Sequence, residues 1–271
     1  METHPLLAPV IYIPHGGGPL PLLGDPDHAG LVDFLRGIRP ELGQPAAVLV
    51  VSAHWEATRP AITSGATPPL LYDYYGFPPE SYAIQYPAAG QPELAQRVYD
   101  LLTSAGFSPH MDGQRGFDHG VFVPLKLMLP EADIPCIQLS QLASLDPASH
   151  IALGKALAAL RQENVLIVGS GMSFHNLRAF FASRSSQASQ ESLVFDRWLV
   201  ETCTSPALSL PEREARLTDW EGAPYARFCH PREDHLLPLH VCFGAAAAST
   251  PAARAVFSGD VMGQRVSALL W

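Results

Sequence analysis

Ala46–Val51, AAVLVV, runs directly into Ser52-Ala53-His54-Trp55. An unbroken apolar run rich in valine is the pattern of a strand buried on both faces, and such strands belong to parallel sheets covered by helices. The pattern recurs along the chain. Val10–Ile13 leads into Pro14-His15-Gly16-Gly17-Gly18-Pro19, Ile134–Leu139 follows the turn Pro130-Glu131-Ala132-Asp133, and Val165–Val168 leads into Gly169-Ser170-Gly171. Ala255–Phe257 is a weaker, late member of the set.

Between these runs the apolar spacing becomes helical. Pro92–Ala105 places Leu94, Val98, Leu101 and Leu102 on one stripe and stops at Gly106, a fitting C-terminal cap. Pro147–Arg161 carries Ile151, Leu153, Leu157 and Leu160, and Ser189–Cys203 carries Leu193, Phe195, Trp198 and Leu199. Leu236–Ala248 is nearly all apolar and predicts a buried helix with Pro238 in its first turn. Strand and helix alternate, which predicts an α/β fold: one domain over 1–271, a mostly parallel central sheet flanked by helices, and an active site at the carboxyl ends of the strands. Pro68–Pro92 and Pro206–Pro231 match neither pattern and are expected to be irregular loops that wall a pocket.

Composition removes several function classes. With 271 residues, 47% of them hydrophobic, the chain can bury a core without disulfides or a structural metal. It carries 26 acidic against 17 basic residues, a net charge of −9, and its only lysines are Lys126 and Lys155. Nucleic acid is therefore not an expected partner. Cys136, Cys203, Cys229 and Cys242 are scattered without a C-x-x-C pair, which argues against a zinc–thiolate site and fits a reducing, cytoplasmic setting. Met1-Glu2-Thr3-His4-Pro5 has no basic stretch before an apolar one, and no run of apolar residues is long enough to span a bilayer, so neither a secretory signal nor a membrane anchor is expected.

Eleven histidines in so acidic a chain raise the question of a metal, and their positions sharpen it. His15, His54 and His175 follow the first, second and fourth apolar runs, where ligands bind in open α/β sheets. His119 lies in the turn-like Gly116-Phe117-Asp118-His119-Gly120, and His230 and His235 bracket His230-Pro231-Arg232-Glu233-Asp234-His235 ahead of the last helix. Neutral imidazole suits iron, zinc, copper or nickel, and ligands drawn from distant loops describe an open catalytic site better than a closed structural one. Taken singly, a loop histidine is more often a hydrogen-bonded surface residue than a ligand; four of them at strand or turn ends put the two readings on an even footing. His4, His28, His110 and His150 are expected on the solvated surface and His240 in the core. Gly16-Gly17-Gly18 reads either as an anion nest or as a tight turn. Gly169-Ser170-Gly171 does not meet G-x-S-x-G, so a serine hydrolase is not expected.

Seven motifs in order give the chain a family. Ile13-Pro-His-Gly-Gly-Gly-Pro19, Val51-Ser-Ala-His-Trp55, Tyr72-Asp-Tyr-Tyr-Gly-Phe-Pro78 and Gln85-Tyr-Pro-Ala88 are followed by Phe117-Asp-His-Gly120 with Pro124-Leu-Lys-Leu-Met128. Gly169-Ser-Gly171 with Phe174-His-Asn-Leu177, then His230-Pro231 with His235-Leu-Leu-Pro238, complete the set. The chain resembles the class III extradiol ring-cleavage dioxygenases, in the DOPA-dioxygenase-like branch of the protocatechuate 4,5-dioxygenase beta-subunit superfamily. That resemblance implies a non-haem enzyme that opens a catechol-type ring with O2 to a semialdehyde. It implies a metal held by His15, His54 and His235, with the neighbouring carboxylates of Asp234 and Glu233 as alternative ligands. His175 matches the catalytic base and is near enough to serve as a fourth ligand to zinc. His119 matches a second active-site histidine, which Asp118 would orient unless Asp118 is simply a cap.

Fe(II) is the metal expected for activity, because zinc has no redox chemistry, although Zn(II) is a plausible bound ion. Tyr72, Tyr74, Tyr75 and Tyr82 are candidate pocket walls, and Arg227 or Arg232 could pair with a substrate carboxylate if not merely solvated. The expected partners are a small aromatic diol and O2, with self-association compatible with the family. Two other readings use the same scaffold: a zinc-dependent hydrolase with His175 as base, and a non-catalytic binding protein.

Overall fold

The computed structural model describes residues 7–181, 186–250 and 252–271, so His4 lies outside the described residues. The four strongest apolar runs form β1 (Val10–Pro14), β2 (Ala47–Ala57), β5 (Cys136–Leu142) and β6 (Val165–Gly171). Every residue of β1, β5 and β6 is buried, as is the first stretch of β2, which is why these segments show no polar alternation. Short strands β3 (Ala61–Thr63) and β4 (His110–Asp112) and a hairpin of β7 (Arg254–Val261) and β8 (Gln264–Leu270) complete one sheet, ordered β4-β3-β5-β2-β6-β1-β8-β7. Its centre, β5-β2-β6-β1, is parallel, whereas β8 runs antiparallel to β1 and β3 antiparallel to β5. The late run Ala255–Phe257 thus belongs to an antiparallel edge hairpin. Its turn is Met262-Gly263, with both residues at positive φ (50° and 78°), the backbone a two-residue hairpin turn requires.

Helices cover the sheet: α1 (Ala29–Gly37), α2 (Pro92–Ser104), α3 (His119–Met128), α4 (Pro147–Leu157), α5 (Leu177–Phe181), α6 (Ser186–Thr204), α7 (Leu210–Thr218), α8 (Ala226–Cys229) and α9 (Leu237–Ala246). The predicted helix over 147–161 ends its α-helical part at Leu157 and continues as a tighter turn over Ala158–Glu163. Pro206–Pro231, expected to be irregular, contains α7 and α8. Ser209 caps α7 and closes a capping box with Glu212.

Helices α4 and α9 cross with backbones in contact. A methyl on Gly154 would collide with the Val241 carbonyl, and one on Gly244 with the Ile151 carbonyl, so glycine is needed on both faces. Gly171 at the end of β6 serves the same purpose, since a side chain there would strike the carbonyl of His235.

His28 and His150 are fully buried rather than solvated, because each ring satisfies backbone groups. His28 Nε2 accepts the Gly17 N–H at 3.0 Å while its Nδ1 donates to Asp25 at 2.7 Å. This latch makes Gly16-Gly17-Gly18 a held turn. His150 Nε2 accepts the Leu142 N–H and its Nδ1 donates to the Asp146 carbonyl. His110 is half-buried in β4. His240 is a core residue, bonded to the Leu217 carbonyl at 2.8 Å.

Buried neutral histidines set the response to acid. Burial pushes His230 down to about 3 and His240 down to about 4. Both therefore bind fewer protons folded than unfolded, and the stability they lend is present above about pH 6.5 and lost as pH falls. Each loss amounts to about 2 kcal/mol at pH 5. Burial pushes Asp196 up to about 6, which works the other way, but acidification from pH 7 to 5 recovers only about 1 kcal/mol there. The histidines win, and urea unfolding of the metal-free protein should show stability about 3 kcal/mol or more lower at pH 5 than at pH 7. An unchanged unfolding free energy would contradict this balance.

Candidate metal centre

His15 is the first residue past β1, and its Nδ1 lies 3.0 Å from Ser170 Oγ. Ser170 is also hydrogen-bonded to the Gly120 carbonyl. A carbonyl only accepts, so the single hydroxyl proton goes to Gly120, and the Ser170 oxygen accepts from His15 Nδ1–H. His15 is thereby a neutral imidazole whose lone pair sits on Nε2, 3.1 Å from His54 Nε2. Two nitrogens bound at about 2.1 Å to one ion, at a right angle, lie about 3 Å apart, so this pair fits a shared cation.

His54 lies within β2 rather than beyond it. Pairing of β2 with β5 is interrupted between Val51 and Glu56, and this irregularity frees the strand locally to turn the ring toward His15. The His54 N–H donates to Ser52 Oγ at 3.2 Å. His119 is the first residue of α3, and both its backbone N–H and its ring Nδ1 donate to Asp73 Oδ1, at 3.0 and 2.8 Å. That leaves Nε2 of His119 facing the cluster. Burial alone would raise the Asp73 carboxyl, but the His119 hydrogen bonds and the His54 ring outweigh it and hold the group below its usual range.

His235 approaches from the opposite side. Its carbonyl accepts from Tyr12 Oη at 2.9 Å and from the Met172 N–H at 3.0 Å, which docks the segment before α9 onto β1 and β6. Its ring stacks on His175 with centroids 3.4 Å apart and planes 12° apart. His235 Nδ1 is buried and finds no hydrogen-bond partner, although Asp234 Oδ2 is 3.2 Å away. Ring centroids of His15 and His54 lie 5.2 and 4.9 Å from that of His235, and His54 and His119 are 3.9 Å apart.

All five predicted site histidines therefore meet in one place. Their nearest donor atoms form two groups, His15 with His54 and His119, and His175 with Asp234 and His235, each spanning no more than 4.8 Å. The expected ligand set takes members from both. Burial, reinforced by the neighbouring rings, pushes His15 and His235 well below the usual imidazole range; His54 falls as far, and burial lowers His175 as well. Neutral imidazoles with inward lone pairs are the protonation state a metal requires.

The rings form the floor of a cavity of about 470 Å³. Its walls include Gly16–Gly18, Tyr74, Tyr75, Phe77, Met172, Phe180 and Met262. Tyr72 and Tyr82 are not on that wall; the Tyr72 hydroxyl is bonded to the Ile84 carbonyl at 2.6 Å. Asp118 does not orient His119. It is fully buried beneath the site, accepts from Ser52 Oγ at 2.7 Å, from Gln138 Nε2 and from Arg115 at 3.1 Å, and burial raises its carboxyl. Asp73, the residue that does orient His119, stands within the Tyr72–Pro78 motif, flanked by tyrosines. Arg227 and Arg232 do not line the cavity. Arg227 bonds Glu221 and Glu233, which takes Glu233 away from the rings, and Arg232 forks onto Glu56. His230 stands apart, bonded to the Ser173 carbonyl at 3.0 Å beside Phe195 and Trp220.

Residues 9–268 match the family model described as the catalytic LigB subunit of aromatic ring-opening dioxygenase. The chain is 44% identical over 263 residues to dioxygenase tasH of Hapsidospora irregularis, covering 89% of this chain and 78% of that protein. It is 39% identical over 245 residues to the 4,5-DOPA dioxygenase extradiol of Beta vulgaris, covering 89% and 88%. A crystal structure of an uncharacterized protein from Escherichia coli K12 superposes with a TM-score of 0.78 at 30% identity, covering 97% of this chain and 99% of that one. The chain belongs to the LigB family of class III extradiol dioxygenases. It is an extradiol ring-opening dioxygenase acting on catechol-type substrates, a family of metal-dependent enzymes, and the hydrolase and binding-protein readings are not favoured. Among the described residues no helix is long and apolar enough to cross a membrane.

Proposed function

We propose that the histidine cluster is a non-haem iron centre in which His15, His54 and His235 are the ligands, His175 is the catalytic base and His119 is the second active-site histidine. The observation that carries this reading is the convergence of the five rings on the floor of one aromatic-walled cavity. Fe(II), when bound, supplies the redox chemistry that lets O2 react with the diol, which zinc lacks.

The chain's own residues do the rest. Ser170 keeps the proton of His15 on Nδ1 and so keeps the Nε2 lone pair available. His175, neutral through burial, accepts a hydroxyl proton of the diol, and opening the ring beside the diol gives a semialdehyde. His119, held by Asp73, presents Nε2 to the bound substrate and O2. The aromatic walls exclude water. With zinc bound, His175 would be a fourth ligand, since its ring nitrogen lies within 4.8 Å of that of His235. The catalytic unit is the whole chain, 1–271, working in the cytoplasm, a setting with which its four free, buried cysteines agree.

Anaerobic reconstitution with Fe(II), beside a Zn(II) sample, followed by a catechol and air, tests the assignment. Oxygen uptake and the yellow ring-opened product are expected with iron alone. Equal activity with zinc, or uptake that does not depend on added metal, would overturn it.

A further inference from the structure

Three of the large apolar side chains most open to solvent gather at the mouth of this one cavity: Tyr75 is 88% exposed, Phe181 79% and Leu177 56%. Exposed apolar groups gathered at one place mark a surface that something apolar covers. The charges around the cavity point the same way. Among its described lining residues there is no lysine or arginine, and the one carboxylate is Asp73, which accepts from His119 at 2.8 Å. Arg178 and Arg232 line a neighbouring depression beyond His175, and Arg232 is already paired with Glu56. A carboxylate carried into the cavity would face Asp73 with no lysine or arginine among the described residues that line it.

We infer that the substrate is a catechol bearing an uncharged, mainly apolar substituent, which lies across Tyr75, Leu177 and Phe181 while the diol reaches the histidines. The inference rests on the ring-opening reading and specifies its substrate class. A site built for an amino-acid or benzoate-type catechol would place a lysine or arginine among its lining residues, and none is found among those described here.

The test uses the Fe(II)-loaded protein. Anaerobic titration calorimetry with catechol, 4-tert-butylcatechol, protocatechuate and DOPA gives affinities independent of oxygen chemistry, and kcat/KM in air follows. Binding and kcat/KM should favour 4-tert-butylcatechol over protocatechuate and DOPA by about tenfold or more. The double variant L177S/F181S, altered only at exposed positions of α5, should lose most of the preference for 4-tert-butylcatechol over catechol itself. Equal or better binding of protocatechuate or DOPA, or a preference unchanged in the variant, would overturn the inference. Tight binding of 4-tert-butylcatechol without ring opening of any catechol would instead strike the ring-opening reading and leave the apolar subsite standing.

Discussion

Alanine at His54, or at His15, should remove metal retention and turnover together. The two Nε2 atoms lie only 3.1 Å apart, so a shared ion would depend on both to complete its binding angle. Loss of an outer hydrogen-bond partner typically lowers metal affinity by about 10–100-fold, and loss of a direct ligand should cost more. Refolding damage is not the cause expected for His54, whose side chain is 22% exposed and leaves little void when truncated. The check is iron content after dialysis, measured beside oxygen uptake and the thermal midpoint. A folded variant holding iron at full occupancy would remove the residue from the ligand set.

Glutamine at His175 should give the opposite dissociation: iron retained, with kcat lowered by about 100-fold or more, the usual scale for a missing general base. Glutamine preserves bulk against the His235 ring but cannot take up the diol proton. His175 also sits in a loop whose N–H donates to the Cys229 carbonyl at 2.9 Å, a bond the substitution leaves intact. Metal analysis and single-turnover ring opening on the same preparation separate the two functions. An unchanged rate would exclude the residue as base, and loss of iron would make it a ligand instead.

Much of this architecture is legible in the sequence because the parallel core leaves a strong mark. AAVLVV and VLIV are apolar throughout, since both faces of those strands are covered, and the histidines at their ends fall where the fold rule places them. The hairpin of β7 and β8 is harder to read, for its outer strand is largely exposed and its signal is reduced to the pair Met262-Gly263. Helix α7 carried a readable capping box, Ser209 to Glu212, hidden among prolines that suggested a loop. His28 and His150 look like surface residues because each ring accepts a backbone N–H, a bond no side-chain pattern announces. Asp118 was legible as important but not in its role. Adjacency in sequence suggested that it steadies His119, whereas a residue at the start of a helix and its predecessor point in different directions. The orienting carboxylate comes from Asp73, brought across by the fold.

The crossing of α4 and α9 at Gly154 and Gly244 acts on the histidine cluster as a mechanical stop. A contact made of side chains has some give, because rotamers change and neighbours repack. Two backbones already touching have none. Helix α9 begins two residues after His235, so its height above the sheet, fixed by that stop, sets how far the ring projects into the cluster. The tolerance of the centre is thus borrowed from a place remote from it. Side chains around the core can drift during evolution without detuning the site, whereas one added methyl at the crossing would shift a histidine that it never touches.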